Sequence, residues 1–276
     1  MSQSHPPVFG ALIIGDEILS GRRVDKHLPK LIELLSERGL ALSWAQHVGD
    51  DPLRITRMLS DAFASGDVVF SFGGIGATPD DHTRQCAAAA LKQPLVLLPQ
   101  AKVLISERMA EMAAQQGTVL DMTHPDSLRR LQMGEFPSSA RIIPNPYNRI
   151  PGFSCDGVAG GAVHFVPGFP VMAWPMVAHV LDQHYASWFS VGAWVECSVI
   201  VYGAMEATLT PLMVQIESKH PSIKVFSLPS VDHPVHGKHI DLGVKGPPAE
   251  AQSAFAEMKA GLQALSMQLG PEMVRN

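Results

Sequence analysis

The sequence predicts an α/β fold: a three-layer, doubly wound and mostly parallel sheet, followed by a second, smaller α+β domain. Three observations predict it. Apolar runs alternate with amphipathic helical segments through the first ninety residues, a Gly-rich turn follows the third apolar run, and the rhythm changes after about residue 187. Repeated strand–helix pairs close through right-handed crossovers and put helices on both faces of a parallel sheet.

Taken in order, the first apolar run covers residues 8–14, and "HLPKLIELLSERG" after it places Leu28, Leu31, Leu34 and Leu35 on one helical face, with Gly39 as the stop. Residues 40–48 form the second run, before a helix patterned by Leu53, Ile55, Met58, Leu59 and Phe63. Residues 68–72 form the third, before a helix predicted to begin near Pro79. Helices are then expected over 100–116, 126–133 and 171–184, and strands over 141–143 and 162–166. Beyond residue 187, strands at 195–201, 223–226 and 240–244 with helices at 207–219 and 249–269 make the second domain, so the domains are 1–187 and 188–276.

Composition excludes several classes. Hydrophobic residues make up 46% of the 276, enough for a core and too many for a disordered chain. A net charge of −5 gives no electrostatic footprint for nucleic acid or an anionic membrane. No stretch approaches the ~20 apolar residues of a membrane span. The N-terminal "MSQSHPPVFG" lacks the basic start of a signal peptide. Cys86, Cys155 and Cys197 are scattered without a CxxC pair, which fits a reduced, cytoplasmic protein with buried thiols.

Ligands of doubly wound sheets bind beyond the carboxyl ends of the strands. Here those ends carry "GDE" (Asp16, Glu17), "GDD" (Asp50, Asp51) and "GGIGATPDD" (Asp80, Asp81). Gly73, Gly74 and Gly76 allow the close backbone approach that cradles a phosphate, yet six carboxylates should repel one. Two explanations stand side by side. Helix capping accounts for Asp51 before Pro52, and for Asp81 as a capping-box acid behind Thr78 and Pro79. A hard divalent cation such as Mg²⁺, taking one or two carboxylates plus the ligand's phosphates, accounts for Asp16, Glu17, Asp50 and Asp80 as well. Phosphate binding is then expected to depend on metal.

"GDEILSGRRVD", "VGDD", "GGIGATPDDHT", "NPYNRIPGF" and "VHFVPGFPVMAWPM", in this order, resemble the competence/damage-inducible protein A (CinA) family and, more broadly, the molybdopterin-binding fold of molybdenum-cofactor biosynthesis. The later "YGAMEATLTPL" resembles the start of that family's small second domain; the C-terminal amidase domain of its long members would have to follow residue 276. The resemblance implies that Gly73, Gly74, Gly76 and Thr78 hold a phosphate, and that Asp81 with Asp50 or Asp51 forms the catalytic acids. Asp81, Asp80 and Asp50 would hold the metal. Asp16 and Glu17 would form the first loop of the pocket, Thr83 would follow the key acid, and Asn145, Pro151, Gly152, Pro167 and Gly168 would form the far wall. The implied ligand is molybdopterin or a nucleotide, the implied activity divalent-metal-dependent hydrolysis of ADP-ribose, and the implied assembly a dimer or trimer. The alternative is a binding module without turnover.

The sequence departs from the family at Asp25, Lys26 and His27, where Asp-Thr-Asn is usual, at Ala77 for proline, and at the bulky loop carrying Tyr147 and Arg149. Other motifs read as structure. A KH-type nucleic-acid clamp needs GxxG, which "YGAME" lacks. In "DHPVHGKH" the i, i+3, i+6 spacing of His233, His236 and His239 could suggest zinc, but the flanking proline and glycine argue for an exposed hairpin loop on which that spacing does not converge on one face. His82 is expected to face solvent, and Met172, Trp174, Met176 and Cys86 to pack.

Overall fold

The computed structural model describes residues 7–192 and 194–275, so residues 1–6 of the stretch read against a signal peptide lie outside it. The chain divides into two units, Met1–Trp188 and Phe189–Asn276. Among the described residues no helix is long and apolar enough to cross a membrane.

The first unit opens with β1 (Phe9–Ile14), α1 (Asp16–Leu19), α2 (His27–Ser36), β2 (Leu42–Val48), α3 (Pro52–Ser65), β3 (Val68–Phe72) and α4 (Thr83–Leu91). It continues through β4 (Leu95–Leu97), α5 (Pro99–Gln115), α6 (Pro125–Gln132), β5 (Glu135–Pro137), β6 (Arg141–Ile143), β7 (Gly152–Asp156), β8 (Ala162–Val166) and α7 (Pro170–His184). The main sheet has the order β2-β1-β3-β8-β7-β6. Its first four strands are mutually parallel, and β7 is antiparallel to both β8 and β6. β4 and β5 form a separate two-stranded ribbon.

Burial on both faces explains why β1, β3 and β8 are apolar almost throughout, interrupted only by the buried Ser71 and His164. One face packs Leu12, Val69 and Phe165 against Ile55, Leu59 and Phe63 of α3 and Ala87 of α4. Within it Phe153 stacks between Phe136 and Phe165, with centroids 4.5 and 4.3 Å away. Burying each ring is worth roughly 1.5–3 kcal/mol. The other face meets α2 and α7: Phe9 lies edge-on to Tyr185, and His27 stacks on Phe72. Leu53, placed on the helical face by its spacing, is 83% exposed because it occupies the first turn of α3, ahead of the sheet contact.

In the chain order β1, β2, β3, the crossover reverses direction at β1, so β2 and β3 flank it on opposite sides. That reversal opens a crevice at the carboxyl ends of β1 and β3. Gly15, which leads directly into α1, and the Gly73–Asp81 loop both start there, so Asp16 and Glu17, expected in a loop, form the first turn of that helix.

The second unit contains β9 (Val195–Tyr202), α8 (Glu206–Lys219), β10 (Lys224–His233), β11 (Gly237–Gly246), α9 (Pro248–Ala264) and β12 (Gln268–Arg275). Its sheet is antiparallel, ordered β10-β11-β9-β12. Val199, Val201, Leu242 and Val244 pack against Leu209, Ile216, Phe255 and Met258 of the two helices.

Two expectations are corrected. The helix predicted from Pro79 begins at Thr83 with His82 at the N-cap. Residues 78–81 instead close on themselves: Asp81 N–H donates to Thr78 O, and Asp81 Oδ2 accepts from Thr78 N at 2.8 Å. Thr83 is drawn back under the loop, its N–H on Gly74 O and its Oγ1 on Gly73 O, and that anchor sets where the helix starts. The helix expected over 249–269 stops at Ala264, and the chain turns at Ser266 (φ 56°) into β12.

Candidate functional site

The Gly73–Gly76 loop is built by its neighbours. Gly73 and Gly74 have φ of 96° and 68°, conformations that side chains rarely adopt. A Cβ on Gly73 would lie 2.5 Å from Ile14 O, and one on Gly74 2.1 Å from Thr83 Oγ1. Gly73 N–H is bound to Val166 O, which ties the loop to β8. Thr83 is completely buried, so its hydroxyl braces the loop from beneath and is not a ligand contact.

A second brace was not read from the sequence. Arg84, in the first turn of α4, is 4% exposed, donates to Gly76 O at 2.8 Å and reaches the carbonyls of Gln132 and Glu135. Burial lowers its pKa, while Glu135 and Asp81 oppose that shift. A buried guanidinium therefore sits beneath the glycine loop and supplies positive charge on the loop's inner side. Its one sequence signal is a lone cation on an otherwise alanine-rich, packed helix, "TRQCAAAAL".

The doubled acids separate by role. Asp51 caps α3, accepting from Leu53 N and Arg54 N. Asp81 closes the 78–81 turn. Asp50 and Asp16 clasp each other reciprocally: Asp16 N–H donates to Asp50 Oδ2 at 2.9 Å, and Asp50 N–H to Asp16 Oδ1 at 3.2 Å. Gly49 makes this possible, because a Cβ there would lie 2.2 Å from Asp16 Oδ1. Burial, with the charges of Asp16, Glu17 and Asp80, raises the Asp50 pKa against the opposing hydrogen bond from Asp16 N–H. Asp80 is exposed and its pKa is lowered, chiefly by a hydrogen bond from Thr78.

The set gathered around Asp50 is therefore Asp16, Glu17 and Asp80; Asp51 and Asp81 are occupied by their own backbone. Among the described residues no group of three or more His, Cys, Asp or Glu side chains stands where it could hold a metal ion. Oxygen-only donors nonetheless suit a hard cation that retains water and takes phosphate oxygens.

The far wall is less open than the sequence suggested. Asn145 is buried and wholly engaged: Nδ2 donates to Asn148 Oδ1 and Ile150 O, and Oδ1 accepts from Tyr147 N. Gly152 lies inside β7, where a Cβ would fall 2.3 Å from Phe165 O, so it serves strand packing. Gly168 does reach the crevice, its missing Cβ 3.5 Å from Gly73 Cα, and its carbonyl pairs with His27 Nε2 at 3.1 Å. His27 is thus a wall residue that ties the β8–α7 loop to the end of β3, and burial lowers its pKa. Arg149 is ion-paired with Glu107 and Glu111 of α5 at 3.1 and 2.8 Å, which directs its charge to that helix.

The comparisons with known proteins agree with this architecture. The family model described as "Probable molybdopterin binding domain" matches residues 10–185. A CinA-like protein of Gloeobacter violaceus is 33% identical over 164 residues, 59% of this chain and 36% of that protein. A protein of Pyrobaculum calidifontis is 28% identical over 251 residues, 90% of this chain and 91% of its own length. The crystal structure of CinA from Thermoplasma acidophilum, a protein described as of unknown function, superposes with a TM-score of 0.54 at 29% identity, covering 65% of this chain and 99% of that one. The chain spans about a third of the length of the first CinA-like relatives it matches.

Proposed function

Because the chain belongs to the molybdopterin-binding domain family, we propose that its first unit binds a phosphate-bearing small molecule, a molybdopterin or a nucleotide, together with a divalent cation such as Mg²⁺. One observation carries this reading: a glycine loop with buried positive charge beneath it opens beside four carboxylates, and burial together with the charges of the other three raises the Asp50 pKa. Loop and carboxylates serve one ligand only if a cation lies between them. Asp50 and Asp80 would hold it, with Asp16 fixing Asp50 through the reciprocal clasp. The cation would neutralise the phosphate and polarise its P–O bonds. The backbone of Gly73–Gly76 supplies the anion cradle, and Thr83 and Arg84 keep it in place.

The experiment is calorimetric titration with ADP-ribose, with and without Mg²⁺, on the wild-type chain and on Asp50→Asn. Binding should need Mg²⁺ and weaken at least about tenfold in the variant. Tight binding in chelator, equal in both proteins, would overturn the reading. Release of AMP in the same vessel would identify the chain as an ADP-ribose hydrolase; binding without AMP would identify a binding module.

A further inference from the structure

The second unit gathers three histidines that this reading does not use. His233 ends β10, His236 lies in the turn, and His239 stands on β11, two residues past its start at Gly237. The sequence spacing suggested dispersal, but the hairpin folds the three rings together, with centroids 5.0, 5.2 and 5.6 Å apart. The cause is register. The pairing shifts between Ser230 and His233, so His233 faces Gly237 and the tight turn swings His236 back over the strand ends.

We propose that this hairpin tip is a three-histidine site for a borderline divalent cation of the Zn²⁺ class, with the fourth position open to water or ligand. The spacing fits. With Zn–N distances of about 2.0–2.1 Å the ion sits roughly 3.2 Å from each ring centroid, and a tetrahedral angle then separates centroids by about 5.2 Å.

The nitrogen chemistry of His236 and His239 agrees with this, and that of His233 requires its ring to turn. Each ring is tethered through Nδ1, and among the described residues no hydrogen bond engages any of the three Nε2 atoms. His239 Nδ1 bonds Gly237 O at 2.9 Å, which fixes the proton on Nδ1 and leaves the Nε2 lone pair free. His236 Nδ1 meets Tyr202 Oη at 3.0 Å, an outer partner of the kind that orients metal-bound imidazoles. His233 Nδ1 accepts from the N–H groups of Val235 and His236 at 3.3 and 3.2 Å, so its proton sits on Nε2. His233 and His236 also lie only 21° from parallel, and the three side chains do not yet aim at one point. His233 is therefore the ligand that must turn, and it is exposed and held by the longest of these contacts. Imidazole-only ligation favours Zn²⁺, Ni²⁺ or Cu²⁺ over Mg²⁺, which separates this site from the carboxylates of the first unit.

The test is calorimetric titration of the untagged chain with Zn²⁺ in millimolar Mg²⁺, comparing wild type with His233→Ala/His236→Ala and with Asp50→Asn. One Zn²⁺ should bind per chain, at least about tenfold weaker in the double variant and unchanged in Asp50→Asn. Equal Zn²⁺ affinity in wild type and the double variant, with far-UV circular dichroism preserved, would overturn the proposal. Should the double variant fail to fold, the histidine Nε2 resonances of the wild type decide. Zn²⁺ must shift all three, and unmoved resonances would refute the site.

Discussion

Substituting Gly74 tests whether the glycine loop is held as tightly as its contacts indicate. In Gly74→Ala the new methyl group would start 2.1 Å from Thr83 Oγ1 and 3.2 Å from Thr83 Cβ. Thr83 is completely buried, so its side chain has no solvent to retreat into. Three costs add. The left-handed backbone, φ 68°, costs a non-glycine residue about 1 kcal/mol. The Thr83 hydroxyl must leave Gly73 O, losing about 1 kcal/mol of hydrogen bonding. The residual overlap costs about 1–3 kcal/mol, as in other overpacked interiors. The total is about 3–5 kcal/mol, and each kcal/mol lowers Tm by about 2–4 °C in a unit of this size. Urea denaturation followed by far-UV circular dichroism measures the total. The double variant Gly74→Ala/Thr83→Ala makes the test sharp. Removing the Thr83 hydroxyl and methyl relieves the overlap and leaves the backbone cost, so the double variant should be at least about 1 kcal/mol more stable than the sum of the single changes. Strict additivity would refute the claim that Thr83 sets the conformation of Gly74. By contrast, a Cβ on Gly76 would meet Asp81 Oδ2 at 2.5 Å, the end of a carboxylate on a solvent-facing turn. Gly76→Ala should therefore cost less than Gly74→Ala, about 1 kcal/mol for the hydrogen bond that Asp81 Oδ2 accepts from Thr78 N–H.

Other outcomes follow from individual groups. Ionising Asp50 is disfavoured in the folded chain, so wild-type stability should fall as pH rises through its raised carboxylate range. Asp50→Asn should abolish that slope and match wild type in acid, as read from Tm against pH. Asp51→Ala should cost about 1 kcal/mol as a lost helix cap without altering Mg²⁺-dependent ligand binding; a tenfold loss of affinity would return Asp51 to the site. His164 is buried between Ser154 Oγ and Tyr185 Oη, each 2.7 Å away, and burial pushes its pKa down to about 3. The unfolded chain protonates near the ordinary 6.5 while the folded chain does not, so stability should drain away between roughly pH 6.5 and pH 3. Tyr185→Phe, which leaves His164 Nε2 unpaired, should cost about 1–3 kcal/mol by denaturant titration.

What was legible in the sequence depended on how local the signal was. β1, β3 and β8 announce themselves because burial on both faces makes them apolar almost throughout, with Ser71 and His164 as buried polar exceptions. β12 was hidden, because Gly270 and Pro271 interrupt "QLGPEMVR" and only an edge position tolerates that proline. β7 was hidden for a similar reason: it opens with Gly152, and its Phe–Cys pattern becomes meaningful only once Phe136 and Phe165 stack on Phe153. At the site, the glycine loop and all six acids were visible, but their division of labour was not. Whether an aspartate caps a helix or faces a neighbour depends on one backbone turn. Arg84 escaped notice and His27 stood out only as a departure from the family pattern, because their partners, Gly76, Gln132 and Gly168, are backbone carbonyls that carry no side-chain signature.

The doubled acids are where local and long-range demands meet. In "GDD" and in "PDD" the second aspartate satisfies its own backbone, Asp51 at the start of α3 and Asp81 across the 78–81 turn. Those contacts fix the direction of the chain, so the first aspartate of each pair, Asp50 and Asp80, is left facing the crevice with Asp16 and Glu17. A capping aspartate alone would give structure without charge at the crevice, and a lone unsupported one would give charge without direction. Burial and the neighbouring carboxylates both raise the Asp50 pKa, although a neutral Asn at position 50 could accept the same hydrogen bond from Asp16 N–H. A group that is costly when charged and replaceable when neutral points to a counter-charge brought by a ligand. That is why the comparison of Asp50→Asn with Asp51→Ala, two neighbouring carboxylates with opposite expected effects on stability, separates a binding site from a set of helix caps.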